Sequence, residues 1–414
     1  MKILLYGINY APELTGVGKY TGEMAEWLAA RGHHVRVLTA PPYYPAWKIG
    51  AGYSGRKWSR ERVNGVDVWR CPLWVPAKLS GLKRLVHLAS FALSSLPALL
   101  AQLRWKPDVT MVVEPPLLCA PGALLLARLT GGKAWLHVQD YEVDAAFALG
   151  LLRGKRLERI VRAIEGGLMK RFDRVSSISG RMTELAQSKG VPAERVLLFA
   201  NWVDVASIRP LTRDSDFRRV LGLAPEVPVA LYSGNMGAKQ GLEVLAETAR
   251  RMQGHSPLRF VFCGDGAGKA GLQALCAGLA NVDFLPLQPV ERLGELLGLA
   301  TIHLLPQRAD AADLVLPSKL TGMLASGRPV LVTAAHGTEL AQVVDERAGC
   351  GKVVPAEDAD AMITALEDML RDPGALARQG AAGRAFAEQQ MSKDAVLAKL
   401  ESDFLGLGRP QSRL

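Results

Sequence analysis

The chain has 414 residues, which is too many for one ordinary hydrophobic core and suits two domains. With 49% hydrophobic residues, 41 glycines and 24 prolines, the composition favours a globular protein and excludes a collagen-like or low-complexity one. The formal net charge of +10 favours an anionic partner, of which nucleic acid is the least favoured because no recognised binding motif accompanies the charge.

The basic excess is confined to the first half of the chain. Residues 1–205 carry 28 Lys/Arg against 16 Asp/Glu, whereas residues 206–414 carry 22 against 24. A solvated basic surface would account for this asymmetry. The alternative is contact between the first half and something anionic, either a membrane face or a lipid-linked phosphate. Five scattered cysteines, with no C-x-x-C pair, argue against a zinc site or disulfide framework and favour a cytoplasmic location.

Predicted strands and helices alternate along the whole chain. Short apolar runs predict strands at residues 2–6, 34–39, 66–70, 109–113, 134–138, 174–177, 196–199, 229–232, 259–263, 282–285, 302–305, 329–333 and 351–354. The first of these runs lacks the long apolar core of a signal peptide. Amphipathic segments such as 18–31 predict helices between the strands. This βαβ alternation predicts an α/β fold with parallel sheets covered on both faces.

A glycine-rich turn follows the first strand. Gly16, Val17 and Gly18 precede a helix, so their backbone could approach a ligand closely at the helix N-terminus. The spacing is not G-x-G-x-x-G, and the dinucleotide fingerprint is therefore not met. A tight turn with packing glycines is the alternative explanation.

Residues 79–105 form the longest apolar stretch. His87, four serines and Pro97 interrupt it, so it lacks the about 20 consecutive apolar residues of a membrane-spanning helix. It is predicted as a pair of core helices or, alternatively, as an interfacial element with basic residues near anionic lipid head groups. Those residues are Lys78, Lys83, Arg84, Arg104 and Lys106.

A histidine and three carboxylates lie at the end of the strand at 134–138. His137 could bind a substrate hydroxyl or move a proton, and Asp140, Glu142 and Asp144 follow it. In open α/β sheets, ligands bind at this end of the strands. A core histidine with internal partners is the alternative. The H-x-x-D-x-E-x-D spacing lacks a second histidine, so no metal site is predicted.

A second glycine-rich turn lies in the middle of the chain. The strand at 229–232 leads into Gly234, Asn235, Gly237 and Lys239, and a helix follows. Glycine N–H groups, a helix N-terminus and a lysine are together typical of a phosphate-binding turn. Because the two turns lie about 220 residues apart, the sequence predicts two doubly wound domains that face one cleft.

Two further segments of the second half extend the candidate site. The Gly-Asp-Gly turn at 264–266 follows a strand and is not a P-loop, which would need glycine at 263 and Ser or Thr at 270. Pro317 and Ser318 predict a helix start with Ser318 as the cap. Lys319, in the first turn of that helix, would either reach a phosphate or be a solvated surface lysine.

Taken together, these segments resemble the GT-B glycosyltransferases of retaining family 4 over nearly the whole chain. The resemblance rests on ordered motifs: P-E-L-T-G-V-G-K-Y at 12–20, R-G-H-H-V-R-V-L-T at 31–39, the histidine of W-L-H-V-Q-D, N-W-V-D at 201–204, S-G-N-M-G-A-K-Q-G at 233–241, G-D-G at 264–266 and P-S-K-L…A-S-G-R-P-V at 317–330. The segments I-N-Y-A-P-E-L-T-G and H-V-Q-D-Y-E-V-D are most similar to the colanic-acid fucosyltransferase branch.

The resemblance implies two Rossmann-like domains around a cleft, and retaining sugar transfer without a metal or other cofactor. The acceptor domain would comprise residues 1–205 and a C-terminal helix at about 385–414, and the donor domain residues 206–384. The implied donor is GDP-fucose, with GDP-mannose or a UDP-sugar as alternatives. The implied acceptor is a polyprenyl-diphosphate-linked saccharide, which the enzyme would meet as a peripheral protein at the cytoplasmic face of the inner membrane.

The resemblance also assigns roles by position. His137 and Asp140 would act at the sugar, and Lys239 at the diphosphate. The donor-binding residues would be Gly16, Val17, Gly18, Gly234, Asn235, Gly237, Gly264, Asp265, Gly266, Leu285, Leu287, Asp313, Ser318 and Lys319. Two positions depart from the family pattern, since Asn235 stands where an arginine is common and Gly322 where a glutamate contacts the ribose. Lys319, Arg308 and Arg328 are the candidates for the missing positive charge.

Other functions stay open at this point. A GT-B sugar-nucleotide epimerase would turn over its substrate without an acceptor. A non-catalytic sugar-nucleotide-binding subunit would bind the donor without transfer. A nicotinamide oxidoreductase is less favoured, because both glycine turns miss its fingerprint.

Overall fold

The computed structural model describes residues 1–14, 16–77, 81–148, 154–237, 240–308 and 317–408. The chain divides into two compact units. The first comprises Met1–Ala200 and the segment from Val396 onward, and the second comprises Asn201–Ala395. Each unit is a parallel or mainly parallel sheet with helices between its strands, so the predicted two-domain α/β fold is confirmed.

An eight-stranded sheet forms the centre of the first unit. Its strands are β1 (Lys2–Tyr6), β2 (His34–Thr39), β3 (Ser59–Val63), β4 (Val66–Arg70), β5 (Val109–Glu114), β6 (Lys133–Val138), β7 (Arg174–Ser177) and β8 (Val196–Leu198). They lie in the order β3-β4-β2-β1-β5-β6-β7-β8, and only β3 and β4 pair antiparallel. The central strands β1, β5 and β6 are almost fully buried, which explains their continuous apolar sequences.

The helices of the first unit follow its strands along the chain. They are α1 (Gly16–Ala30), α2 (Gly81–Ser94), α3 (Leu96–Trp105), α4 (Ala120–Thr130), α5 (Glu142–Ala148), α6 (Lys155–Met169) and α7 (Gly180–Ser188). A 3-10 turn at Leu117–Cys119 leads into α4. The helix α4 has proline in its first turn and ends at Gly131 with φ +72°, the usual chemistry of helix ends.

The apolar stretch at 79–105 contains α2 and α3, which meet at Ser95. Within the described residues, Lys83–Trp105 is long and apolar enough to cross a membrane by length and composition alone, and 39% of it is buried. Phe91 and Leu99 belong to the core of the first unit, and the hydroxyl of Ser95 lies 2.6 Å from that of Tyr6 on β1. The stretch is therefore a helix pair that packs on the sheet with one face.

The second unit has a six-stranded sheet in which all neighbours are parallel. Its strands are β9 (Val229–Ser233), β10 (Arg259–Cys263), β11 (Val282–Leu285), β12 (Ile302–Leu305), β13 (Val330–Thr333) and β14 (Gly351–Val354), in the order β11-β10-β9-β12-β13-β14. The strand order reverses between β9 and β12. In open α/β sheets, such a reversal leaves a ligand-binding crevice at the carboxyl ends of the strands.

The remaining helices surround this second sheet or return to the first unit. They are α8 (Asp216–Val220), α9 (Glu243–Met252), α10 (Lys269–Leu275), α11 (Leu293–Gly298), α12 (Lys319–Ala325), α13 (Glu339–Ala341) with the π-helix Gln342–Arg347, α14 (Ala359–Arg371), α15 (Pro373–Gln390) and α16 (Lys393–Gly408).

The C-terminal segment, expected as one helix at about 385–414, is interrupted between α15 and α16. Ser392 forms an isolated parallel bridge with Val203, whose backbone is hydrogen-bonded on either side of it. The later part of α16 packs in the first unit, where Phe404 is fully buried with its ring 5.1 Å from that of Trp135. A long-range bridge, invisible in helical spacing, therefore ends α15.

Candidate functional site

The turns that follow β9 and β10 lie side by side. The parallel register places Ser233 opposite Cys263, so the next residues of both strands start together. The N–H of Gly234 donates to the carbonyl of Cys263 at 3.0 Å, and the N–H of Met236 donates to the carbonyl of Asp265 at 2.8 Å. The two glycine-rich turns of the second half therefore form one hydrogen-bonded surface, which we call the paired turns (residues 234–237 and 264–268).

Three glycines are required for the paired turns. Gly234, Gly264 and Gly266 have φ values of +134°, +151° and +146°, which other residues rarely adopt. A Cβ on Gly264 would overlap the carbonyl oxygen of Gly234. A Cβ on Gly266 would lie 2.6 Å from the carbonyl oxygen of Met236. Side chains at Gly264 and Gly266 would push the two backbones apart.

Three other residues of the turn after β9 were predicted to bind the donor or the diphosphate: Asn235, Gly237 and Lys239. The N–H of Gly237 donates to the side-chain oxygen of Gln240 at 3.0 Å, so it already has a partner. Asn235 is exposed, and its carbonyl accepts a hydrogen bond from the Tyr232 hydroxyl at 2.5 Å. Lys239 lies outside the described residues.

Lys319 lies against the paired turns. Its side-chain carbons and Nζ come within 3.7 Å of the point where a Cβ of Gly234 would stand. Nζ donates to the Tyr232 hydroxyl at 3.0 Å and lies 4.3 Å from the centre of the Tyr232 ring. Burial lowers the pKa of Lys319 to about 7. The alternative of a solvated surface lysine is wrong, because the amine is packed on an aromatic ring.

Ser318 precedes α12 but does not cap it. Its φ and ψ of −60° and −23° are helical, and its side chain makes no capping hydrogen bond, so the predicted cap is wrong. The predicted end of this helix is confirmed, since α12 stops before Gly327, which has φ +69°.

Three residues predicted to bind the sugar donor lie later in the sequence than the paired turns. Leu285, the last residue of β11, is buried, and Leu287 two residues later is 69% exposed. Asp313 lies outside the described residues.

In the first unit, Gly16, Val17 and Gly18 form the first turn of α1, which therefore begins before the expected position 18, and this turn packs over a buried carboxylate. Gly16 has φ +60°, Val17 is half-buried, and a Cβ on Gly18 would lie 2.5 Å from Glu13 Oε2. Glu13 accepts two backbone N–H bonds at 3.0 Å, from Tyr43 and its neighbour. Burial raises the pKa of this carboxyl. The role of Glu13 as the anchor of this turn could not be predicted from residue spacing, because its partners Tyr43 and Tyr44 lie about 30 residues away.

His137 lies on β6 and is 2% exposed. Its Nδ1 is 2.9 Å from Ser176 Oγ and its Nε2 is 3.0 Å from the side-chain amide of Gln139. Burial lowers the pKa of His137 to about 3, so the ring is neutral at pH 7. The ring thus has the internal partners of a core histidine, and contact with a sugar stays a prediction. Asp140, two residues beyond β6, is half-buried.

Buried acids gather at the carboxyl ends of β5 and β6. Glu114 is fully buried, and neither of its carboxyl oxygens has a hydrogen-bond partner among the described residues. Burial, reinforced by Glu142 and Glu165, raises the pKa of Glu114 well above its usual range. Asp144 instead pairs with Lys189 Nζ at 2.6 Å. Within the described ranges, no group of three His, Cys, Asp or Glu residues could hold a metal ion.

Comparison with known proteins assigns most of the chain to two family descriptions. Residues 15–202 match "Glycosyl transferase 4-like domain", and residues 227–372 match "Glycosyl transferases group 1". A protein of Escherichia coli K12 that carries the name of a colanic acid biosynthesis glycosyl transferase, WcaI, is 46% identical over 98% of this chain and 100% of its own length. The probable glycosyltransferase WbjE of Pseudomonas aeruginosa is 26% identical over 70% of this chain and 73% of its own.

Solved structures share the fold at low identity. Sucrose-phosphate synthase from Thermosynechococcus elongatus matches with a TM-score of 0.76 and 16% identity, over 98% of this chain and 99% of that one. Anabaena HepE in complex with UDP-glucose matches with a TM-score of 0.69 and 13% identity, over 98% of this chain and 100% of that one. These likenesses concern the two-domain architecture.

Proposed function

The chain belongs to the GT-B glycosyltransferases, and we propose that it transfers fucose from GDP-fucose to a polyprenyl-diphosphate-linked saccharide, with retention, in exopolysaccharide synthesis. One observation carries the proposal: the paired turns and the buried amine of Lys319 meet at the carboxyl end of β9. The likeness to WcaI over the whole chain supports a role in the synthesis of colanic acid or a related polysaccharide.

The environment of Lys319 suits a diphosphate leaving group. Negative charge builds on the β-phosphate as the sugar departs, and a preorganised cation in a buried site stabilises that charge strongly. An amine with a pKa near 7 is partly neutral at physiological pH, and a bound diphosphate would favour its charged form. Lys319 would supply the charge that Asn235 does not provide.

The remaining assignments follow the family pattern. Lys239 would contact the diphosphate, and backbone N–H groups near Gly16 and Ser318 would add hydrogen bonds. His137 and Asp140 would orient the sugar. The other donor-binding assignments are Val17, Gly18, Gly237, Leu285, Leu287 and Asp313.

A peripheral contact with an anionic membrane is the second part of the proposal. The helix α6 exposes both apolar and basic side chains, a combination typical of helices that lie in a membrane interface. The exposed apolar residues are Leu157, Ile160 and Ile164, between 43% and 57% exposed, and the exposed basic residues are Lys155, Arg156 and Arg159. We call these six side chains the α6 surface. Their location supports a cytoplasmic-face enzyme whose acceptor is anchored in lipid.

The donor is tested first by thermal unfolding with GDP, UDP and dTDP at equal concentration. A ligand that binds the folded state raises the midpoint by mass action, so GDP should raise it most. A larger shift with UDP or dTDP would replace GDP-fucose as the donor.

The reaction is tested next with the nucleotide sugar, with and without a polyprenyl-diphosphate-linked saccharide. Fucosylated lipid should form only when both substrates are present. Turnover without acceptor would identify an epimerase, and donor binding without turnover under any acceptor would identify a non-catalytic subunit.

A further inference from the structure

An apolar cavity of about 350 Å³ lies in the first unit between α2, α4, α5 and α6. Ten of its fourteen lining residues are hydrophobic, so it suits a ligand with little polarity. Leu85 on α2 and Ile164 on α6 line it while they are 42% and 57% exposed, and the cavity therefore opens to the surface. Its volume is near the lower end of the range of small-molecule pockets, about 300–1,000 Å³.

The acidic groups in the cavity wall do not make it a cation site. Glu165 pairs with Lys189 Nζ at 2.5 Å, and Glu142 accepts the N–H of Leu117 at 3.0 Å. Burial raises the pKa values of both carboxyls, which favours their uncharged forms. The wall is thus apolar over most of its area, although Oε1 of each carboxyl is buried with no hydrogen-bond partner among the described residues.

The rim of the cavity continues into apolar and basic surface. Val86, next to the lining residue Leu85 on α2, is 48% exposed, and Ile164 of the α6 surface lines the cavity itself. Arg84, which lines the cavity, is half-buried, and Lys83 beside it is exposed. An occupant with an apolar chain and an anionic group would meet complementary chemistry at both ends, chain within and anion at the rim.

We propose that this cavity binds the first isoprene units of the acceptor's lipid chain, with the diphosphate near Arg84. The inference rests on the proposed function, because it names the part of that acceptor that this unit recognises. A chain drawn from a bilayer along α2 and α6 would remain against apolar surface, and the transferable saccharide would be held outside the lipid. The chain would then contribute to acceptor affinity independently of the sugar.

The test compares two acceptors that carry the same saccharide diphosphate on a farnesyl or a butyl chain. For the wild-type enzyme, we expect a KM about 10-fold lower for the farnesyl acceptor, because more apolar surface is buried. Ala146→Trp, which fills the cavity from α5, should abolish that preference. Leu129→Trp is the matched control, because Leu129 is 60% exposed on α4 and does not line the cavity, and it should keep the preference.

A second variant and a binding measurement keep the outcomes separate. Ile164→Asn changes a lining side chain that is 57% exposed, so folding is not at risk, and it should reduce the farnesyl preference several-fold. Farnesyl phosphate binding, measured by calorimetry without donor, should weaken in both cavity variants. Transfer with an unchanged farnesyl preference in both would overturn the cavity assignment alone. Absence of transfer to any lipid-linked acceptor, with farnesyl phosphate bound in the cavity, would instead overturn the proposed reaction.

Discussion

The paired turns of the second unit and the apolar cavity of the first unit are built in different ways. In the paired turns, backbone packs directly on backbone, and one half-buried lysine, Lys319, lies against them. The cavity and the α6 surface consist of many side chains, several of them half-exposed.

The difference predicts unequal sensitivity to substitution. Where backbones touch, one added methyl group has no space to move into, so its cost is concentrated. Where many apolar or basic groups share a surface, each one contributes a small and nearly independent part. Substitutions at the paired turns should therefore have large effects, and single substitutions on the α6 surface small ones.

The largest effect is expected at the glycine turn itself. Gly264→Ala should lower the free energy of unfolding by about 3 kcal/mol, because its Cβ would meet the Gly234 carbonyl and its φ is +151°. The measurement is urea unfolding. Gly271→Ala is the control: this glycine lies within α10 with no atom within 4 Å of its Cβ position, and the change should add about 0.5–1 kcal/mol. Equal results for the two variants would contradict the close packing of the turns.

The next largest effect concerns the lysine that lies against the paired turns. Lys319→Met should weaken GDP binding about 10- to 100-fold, because a charge-assisted contact with the diphosphate is lost. The matched control is Lys352→Met on β14, whose side chain is 38% exposed and pairs with Asp368. Calorimetry at pH 7 is the measurement. If both variants bound GDP like the wild type, Lys319 would have no part in donor recognition.

A smaller effect should appear when pH, not sequence, removes that charge. Burial lowers the pKa of Lys319 to about 7, so the amine loses its proton as pH rises through 7 and the favourable charge goes with it. GDP affinity should fall about 10-fold between pH 7 and 8.5, a range in which the terminal phosphate, with a pKa of about 6, is already charged. In Lys319→Met the affinity should be flat over this range. A wild-type GDP affinity that did not change with pH would show that the protonation state of Lys319 does not affect GDP binding.

The strand framework could be predicted closely from sequence. Central strands such as β9 and β10 are continuous apolar runs bounded by glycine, and the predicted ends agree to within one residue. The exception is β3, S-R-E-R-V at Ser59–Val63, which was not predicted. It is a polar, mostly exposed edge strand that pairs antiparallel with β4, so it lacks the apolar pattern that reveals the others.

The chemistry around Lys319 could be predicted only in part. The sequence placed the lysine at a helix start, but its partner Tyr232 stands in V-A-L-Y, where a tyrosine reads as one more apolar strand residue. The two side chains are 87 residues apart in sequence, and their contact depends on how β9 and α12 are arranged in the folded unit. Burial of the amine, and hence its lowered pKa, is a tertiary property that residue spacing does not encode.

The smallest effect is expected on the α6 surface. Arg159→Gln should weaken binding to vesicles that contain phosphatidylglycerol by about five-fold, because one basic residue near an anionic membrane contributes about 1 kcal/mol. The loss should shrink as salt is added, since exposed charges are screened. Arg219→Gln is the control, an arginine 84% exposed in the second unit, and it should leave vesicle binding unchanged. Equal losses in the two variants would mean that net charge alone drives vesicle binding. The α6 surface would then not be a membrane-binding site, and only the predictions for the paired turns would stand.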